Sequence, residues 1–164
     1  MRLLKLLLVL FVCAAGPAVA GPLEDADAAY DKGDYATAMR LLRPFADKGN
    51  ATAQNNLGFM YRNGRGVPQD YAVAVAWYRK AAEQGDAHAQ YNLGAMYVHG
   101  EGVAQDYVQA HMWLNLAASR LAASEKENRD LAIKHRNIVA AKMTPAQIAE
   151  AQKLAREWKP KPER

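Results

Sequence analysis

The chain has 164 residues, of which 51% are hydrophobic and 23% are charged, and its formal net charge at pH 7 is +4. This balanced composition is typical of a single globular domain and argues against a nucleic-acid-binding protein, which needs a concentrated basic face. With one cysteine in the whole chain, Cys13, an internal disulfide framework is excluded.

Residues 1–20 have the layout of a secretory signal peptide. Arg2 and Lys5 precede an apolar run that is too short to span a bilayer, and a small-residue cleavage site follows at Ala18-Val19-Ala20. We therefore expect an exported protein, periplasmic or secreted, whose mature chain begins at Gly21. That mature chain has no thiol and no second long apolar stretch, so no membrane span is expected after signal removal.

Residues 21–48 predict an atypical pair of helices. A helix over about Leu23–Lys32 is followed by a turn at Gly33 and by a second apolar-periodic segment. The dipeptide Asp34-Tyr35 lies 36 residues before an identical pair, Asp70-Tyr71. This segment is therefore interpreted as a partial first copy of the unit that follows.

Residues 49–84 and 85–120 are two copies of one 36-residue unit. Aligned without a gap, the copies are identical at 19 of 36 positions. A period of this length is the signature of repeat architectures. A two-helix unit cannot cover its own apolar face, so the copies must stack.

Each copy predicts two helices, A and B. In the first copy, Gly49 suits the left-handed position after a helix and Asn50 suits an N-cap. Helix A is expected over about Ala51–Asn63, where Gly64 ends it, and helix B begins near the N-cap Asp70. Helix B has small and aromatic residues on one face, at spacings of three and four: Tyr71, Ala74, Trp77 and Ala81.

Residues 121–158 lack the repeated motif but predict two more helices. Ser124 begins a capping-box pattern that opens a helix over about Glu125–Lys142, and Thr144 with Pro145 opens the last helix in the same way. This pair is interpreted as the cap that closes the open end of the stack. Residues 159–164 are expected to be a disordered tail.

The pattern shared by both copies, A-x-A-Q-x-N-L-G-x-M-Y-x-x-G-x-G-V-x-Q-D-Y-x-x-A-x-x-W-x-x-x-A-A, resembles the Sel-one-like repeat (SLR) family, which is related to tetratricopeptide repeats. The resemblance covers residues 49–120 fully and 23–48 in part. It implies an all-α, right-handed αα-repeat solenoid of about eight helices, used as a protein-interaction scaffold. Exported bacterial members look like adaptors of signalling or of the cell envelope. The motif is structural, so it transfers no catalytic residue and names no ligand.

Within helix A, the two copies differ along one stripe. The mismatches have spacings of three and four, which places them on the face away from the core, and helices A of stacked αα repeats line the concave surface. We hypothesise that these residues form the floor of a partner-binding groove, with Phe59 and Tyr91 as aromatic anchors. The alternative is a solvated stripe that is free to vary. The eight residues are Thr52, Asn55, Phe59 and Arg62 in the first copy and His88, Tyr91, Ala95 and Val98 in the second.

The sequence therefore favours an exported, monomeric scaffold that binds a protein or peptide and is not an enzyme. No cofactor is implied, and the four histidines lack metal-ligand spacing, so no metal site is predicted. One alternative is a cell-envelope hydrolase acting on a peptidoglycan or β-lactam substrate, although no serine or cysteine nucleophile motif is present. The other is an envelope protein that binds cell-wall glycan on groove aromatics. Asn56 and Asn92 are expected to hydrogen-bond neighbouring backbone.

Overall fold

The computed structural model describes residues 21–162, so the predicted signal peptide at 1–20 and the last two residues of the predicted tail lie outside it. Eight α-helices follow one another in this part of the chain, and no strand occurs there. A short 3-10 turn, Ala123–Glu125, precedes the seventh helix. The helices are α1 (Pro22–Asp31), α2 (Tyr35–Asp47), α3 (Ala51–Asn63), α4 (Tyr71–Gln84), α5 (Ala87–His99), α6 (Tyr107–Arg120), α7 (Lys126–Ala140) and α8 (Pro145–Glu157).

The first six helices form three packed pairs. α1 packs on α2, α3 on α4 and α5 on α6, and successive pairs are joined by contacts of α2 with α3 and of α4 with α5. This arrangement confirms the predicted all-α repeat solenoid. The last two helices depart from it, because α7 and α8 each pack against α6 and make few contacts with each other.

The ends of the repeated helices are determined by the predicted caps. The Asn50 side chain accepts a hydrogen bond from the Ala53 N–H at 2.9 Å, and Asp86 accepts one from the Ala89 N–H at 2.7 Å. Each bond satisfies a backbone donor that the first helical turn leaves without an intrahelical partner. α3 ends at Gly64, whose φ of 64° lies in the left-handed region that only glycine adopts without strain.

Two buried glutamines join one unit to the next. Gln54 Nε2 donates to the Ala46 carbonyl at 3.0 Å, and Gln90 Nε2 donates to the Ala82 carbonyl at 3.1 Å. These carbonyls belong to the last turns of α2 and α4, where each also accepts from the N–H of the glycine that follows the helix. The motif glutamine, to which the sequence assigned no role, therefore links each helix A to the preceding helix B.

The C-terminal helices begin differently from each other. The capping box predicted at Ser124 does not form; instead α7 starts after the 3-10 turn, where Glu125 Oε2 accepts from the Ala122 N–H at 3.2 Å. The capping box at the start of α8 is confirmed, since Thr144 Oγ1 accepts from the Gln147 N–H at 3.3 Å and Gln147 Oε1 accepts in return at 2.9 Å.

Residues 159–162, expected to be disordered, lie against α4. The Lys161 N–H donates to the Glu83 carbonyl at 2.8 Å, and Lys161 Nζ lies 2.8 Å from Glu83 Oε2. Just before this segment, the Trp158 ring packs edge-on against Trp113 with centroids 6.2 Å apart. The segment thus supplies a donor to a helix-end carbonyl of α4, a contact between distant parts of the sequence.

Candidate functional site: a groove lined by α3, α5 and α7

A solvent-open groove of about 570 Å³ runs between α3, α5 and α7, and we call it the groove. Five of the eight predicted stripe residues line it: Thr52, Asn55, Phe59, His88 and Tyr91. The prediction from the sequence did not include the α7 residues Asn128 and Leu131, which also line the groove. No periodic signal marked them, because α7 lies outside the repeated motif.

The half of the stripe on α3 has an exposed aromatic side chain, that of Phe59. The Phe59 side chain is 41% exposed, and its ring meets Tyr30 of α1 edge-on with centroids 6.2 Å apart. Arg62 lies outside the groove lining and forms an ion pair with Glu101 of the next unit, at 3.6 Å. Phe59 is therefore presented on the groove surface as expected, whereas Arg62 connects neighbouring units.

The half of the stripe on α5 is partly covered by α7. Tyr91 stacks on His135 of α7 with ring centroids 5.6 Å apart, and its hydroxyl lies 3.0 Å from His135 Nδ1. Val98 packs into a small core with Leu114 and Val139. The expectation that both half-stripes face away from the core is corrected here, because α7 supplies an apolar surface that covers part of α5.

The two remaining stripe residues on α5 are His88, which has a partner at the start of α7, and Ala95, which lies outside the groove lining. His88 Nε2 lies 2.8 Å from Glu125 Oε1, at the start of α7. Ala95 is half-buried and is not part of the groove lining. The groove is thus formed by an open α3 side and by an α5 side that is partly shielded by α7.

The floor of the groove carries amides that bond across helices. Asn92 Nδ2 donates to Asn55 Oδ1 at 3.0 Å, which links α5 to α3. Asn56 Nδ2 donates to Asp27 Oδ1 of α1 at 3.4 Å. The prediction that Asn56 and Asn92 bond neighbouring backbone was wrong, because stacking brings equivalent faces of successive A helices within reach of each other.

The contact of α7 with the repeats is rich in basic groups. His111 of α6 is buried, and its burial, followed by the nearby Arg136 guanidinium, holds its pKa below the usual range. Burial also lowers the pKa of His135, with Lys134 and His99 acting in the same direction. Arg136 itself donates to Asn115 Oδ1 of α6 at 2.9 Å. Charge at this contact therefore depends on pH.

The described residues offer little for metal chemistry. Between residues 21 and 162 there is no group of three or more histidine, cysteine or acidic side chains that could hold a metal ion. Over the same residues no helix has both the length and the apolar character needed to cross a membrane. What the groove does present is an apolar and amide-rich surface.

The stacked helix pairs and the open groove define an αα-repeat scaffold. The sequence profile of the family described as Sel1 repeat matches residues 28–50, 51–86 and 87–120, which together are more than half of the chain. The chain therefore belongs to the Sel1 repeat family. Proteins with these repeats are generally protein-interaction scaffolds.

Among the solved structures that are similar to this chain are two repeat proteins. One is c5321, a protective antigen present in uropathogenic Escherichia coli strains that displays an SLR fold; the TM-score is 0.74 at 34% identity, over 85% of this chain and 30% of that one. The other is a Sel1 repeat protein from Oxalobacter formigenes, with a TM-score of 0.58 at 29% identity, over 82% of this chain and 61% of that one. The chain thus spans less than two thirds of either protein. Among curated proteins no match is found.

Proposed function

We propose that this protein is an exported scaffold that binds a protein or peptide partner in the groove. Three large apolar side chains among residues 21–162 are prominently exposed: Phe59 at 41%, Leu131 at 40% and Ile138 at 48%. Phe59 and Leu131 both line the groove, one from α3 and one from α7. The presence of two exposed apolar side chains in one groove is the observation that carries this proposal.

The amide floor supports an extended peptide as the bound segment. An asparagine side chain offers both donors and an acceptor, which match the free N–H and C=O groups of an extended main chain. A helical partner has satisfied these groups within itself and would not pair with the donors and acceptors that the amides keep beyond their bonds across helices. Asn55, Asn56, Asn92 and Asn128 all line the groove.

In-cell crosslinking of the tagged protein, followed by mass spectrometry, tests the proposal. The variants Phe59→Glu and Leu131→Glu place a charge in the groove, and Ile138→Glu is a matched control because Ile138 is as exposed but lies outside the groove lining. Partners captured by the wild type should be lost from the first two variants and retained by the third. Capture that is unchanged in all three variants would contradict the groove as the binding surface.

Export forms part of the same proposal and rests on the sequence pattern of residues 1–20. Amino-terminal sequencing of the protein recovered from periplasmic and culture fractions should begin at Gly21. A protein retained in the cytoplasm with an intact first segment would contradict it. The hydrolase and glycan-binding alternatives gain no support from the described residues.

A further inference from the structure

A small pocket opens beside the Phe59 end of the groove, between α1, α2 and α3. Its volume is about 110 Å³. Its base is formed by the buried side chains of Ala26, Leu42 and Met60, and the rings of Tyr30 and Phe59 add to its lining. Asp27 and Asn56 bring a carboxylate and an amide to the same pocket. The pocket therefore combines an apolar interior with two polar groups.

The size and lining of the pocket suit one branched aliphatic side chain. An apolar protein cavity of about 150 Å³ stays dry and binds a molecule as large as benzene. The space here is somewhat smaller, and its apolar base leaves few partners for a water molecule, which needs several polar contacts to be held. An isobutyl or isopropyl group fills such a space and loses its own apolar surface to solvent.

Beside the pocket, Asp27 supplies a carboxylate where the rest of the groove floor pairs one amide with another. Where α5 meets α3, the bond across the helices joins two amides, Asn92 and Asn55. Where α3 meets α1, the corresponding bond from Asn56 ends on the exposed carboxylate of Asp27, and at 3.4 Å it is long for such a bond. A carboxylate held by one weak hydrogen bond keeps acceptor capacity for a cation.

We propose that this pocket binds the amino-terminal residue of a partner chain, with an aliphatic side chain in the cavity and the α-ammonium group on Asp27. The inference deepens the proposed function and rests on it, since it assigns the end of the bound segment to one end of the groove. The α-ammonium is attached to the same Cα as the inserted side chain, so it stays at the rim when the side chain is buried. The ammonium of a lysine side chain is several bonds away from its own Cα. Insertion of a neighbouring aliphatic side chain would therefore not hold it at the pocket rim.

The charge of α1 favours a cation beside Asp27, and it is opposed by the Arg65 guanidinium, which lies 5.9 Å from the centre of the Tyr30 ring. α1 contains three further acidic residues, Glu24, Asp25 and Asp31, and no basic residue. Their field adds to that of Asp27 and weakens with ionic strength. Once the ammonium engages Asp27, Asn56 Nδ2 is free to donate to the carbonyl of the same bound residue.

The test uses small probes, so it does not depend on knowing the partner. Leucinamide is titrated into the protein labelled with ¹³C at the methionine methyl groups, and the Met60 signal is followed by NMR. N-acetylleucinamide, which lacks the ammonium, should bind about threefold more weakly, in the range of an exposed ion pair. Glycinamide, which lacks the side chain, should leave the Met60 signal in place.

Two variants on α1 complete the test. Asp27→Asn should bring the affinity for leucinamide down to that for N-acetylleucinamide, while Asp25→Asn, which removes the same charge from an exposed acid outside the pocket lining, should leave most of the preference. Equal affinity of the wild type for the two probes, or a Met60 signal that neither probe moves, would overturn the assignment. A Met60 response together with crosslinked partners that are insensitive to Phe59→Glu would instead refute the proposed function alone.

Discussion

Gly58 of α3 lies against the Tyr78 ring of α4, and Gly58→Ala tests how tightly the two helices are packed. A Cβ atom at this position would lie 2.6 Å from Tyr78 Cδ1 and 2.7 Å from Cε1, well inside van der Waals contact. Tyr78 is fully buried, so its ring has no free space into which it can move. The substitution therefore forces α3 and α4 apart or distorts the ring position.

The expected effect is the difference between two opposing contributions. Overpacking a close-packed core destabilises by about 1–3 kcal/mol. Replacing glycine by alanine within a helix stabilises by about 1 kcal/mol. Because the ring is rigid and enclosed, we expect the upper part of the overpacking range and a net loss of about 1–2 kcal/mol. For a domain of this size that corresponds to a fall in Tm of roughly 2–8 °C.

The second copy of the repeat provides a matched control. Gly94 occupies the same place on α5, but there the nearest atom to an added Cβ is Leu114 Cγ, at 2.9 Å. A leucine can change rotamer where a tyrosine ring cannot, so Gly94→Ala should cost less stability than Gly58→Ala. Introducing Tyr78→Leu into the Gly58→Ala variant reproduces the second copy and should recover part of the loss.

Urea and thermal unfolding followed by far-UV circular dichroism measure all four variants, including Tyr78→Leu alone. The double-mutant cycle should show a favourable coupling between the substitutions Gly58→Ala and Tyr78→Leu. If Gly58→Ala proves as stable as the wild type, or if the cycle shows no coupling, the proposed clash between α3 and α4 is refuted.

Three further predictions concern the core, a helix cap and the α7 contact. Trp113→Ala should destabilise by about 3–5 kcal/mol in urea unfolding, because loss of the buried indole leaves a cavity in the core beside Trp158; a loss below about 1 kcal/mol would contradict it. Asp106→Ala should cost about 1 kcal/mol by the same measurement, because the Gln109 N–H loses its acceptor at 3.0 Å, and an unchanged urea midpoint would speak against this cap. The folded state holds the pKa of His111 below its usual 6.5, so the unfolded state binds more protons and stability falls as pH decreases through 6.5 towards the folded pKa. The urea midpoint should therefore drop between about pH 7.5 and 5.5 in the wild type and less in His111→Gln, and equal drops would show that His111 does not titrate in this way.

The repeated part of the fold was predictable because its signals are local. An N-cap such as Asn50 acts on a backbone group three residues away, and a terminal glycine such as Gly64 adopts a conformation that other residues avoid. The 36-residue period added the stacking, since each copy needs a neighbour to cover its apolar face. The paired helices and their stacking therefore followed from the residues alone.

The candidate site was predictable only in part. Phe59 lies on the groove surface as expected, because its environment depends on the regular stacking of α1 and α3. The environment of Tyr91 could not be predicted, because it depends on His135, 44 residues further along the chain. Leu131 was missed for the same reason, because α7 has no repeat pattern that would indicate which of its faces meets α5.

By itself the sequence determined a solenoid of paired helices, their caps and turns, and one stripe of variable residues on α3 and α5. The tertiary structure alone decided that α7 covers part of the α5 side of that stripe, and that α8 packs on α6 while Lys161 lies against α4. It also decided that the carboxylate of Asp27 lies beside Asn56 in a pocket. The physical reason is the range of the interactions. Caps and helical periodicity act within a few residues, whereas the packing of a helix outside the repeat depends on which apolar surfaces meet once the chain has folded.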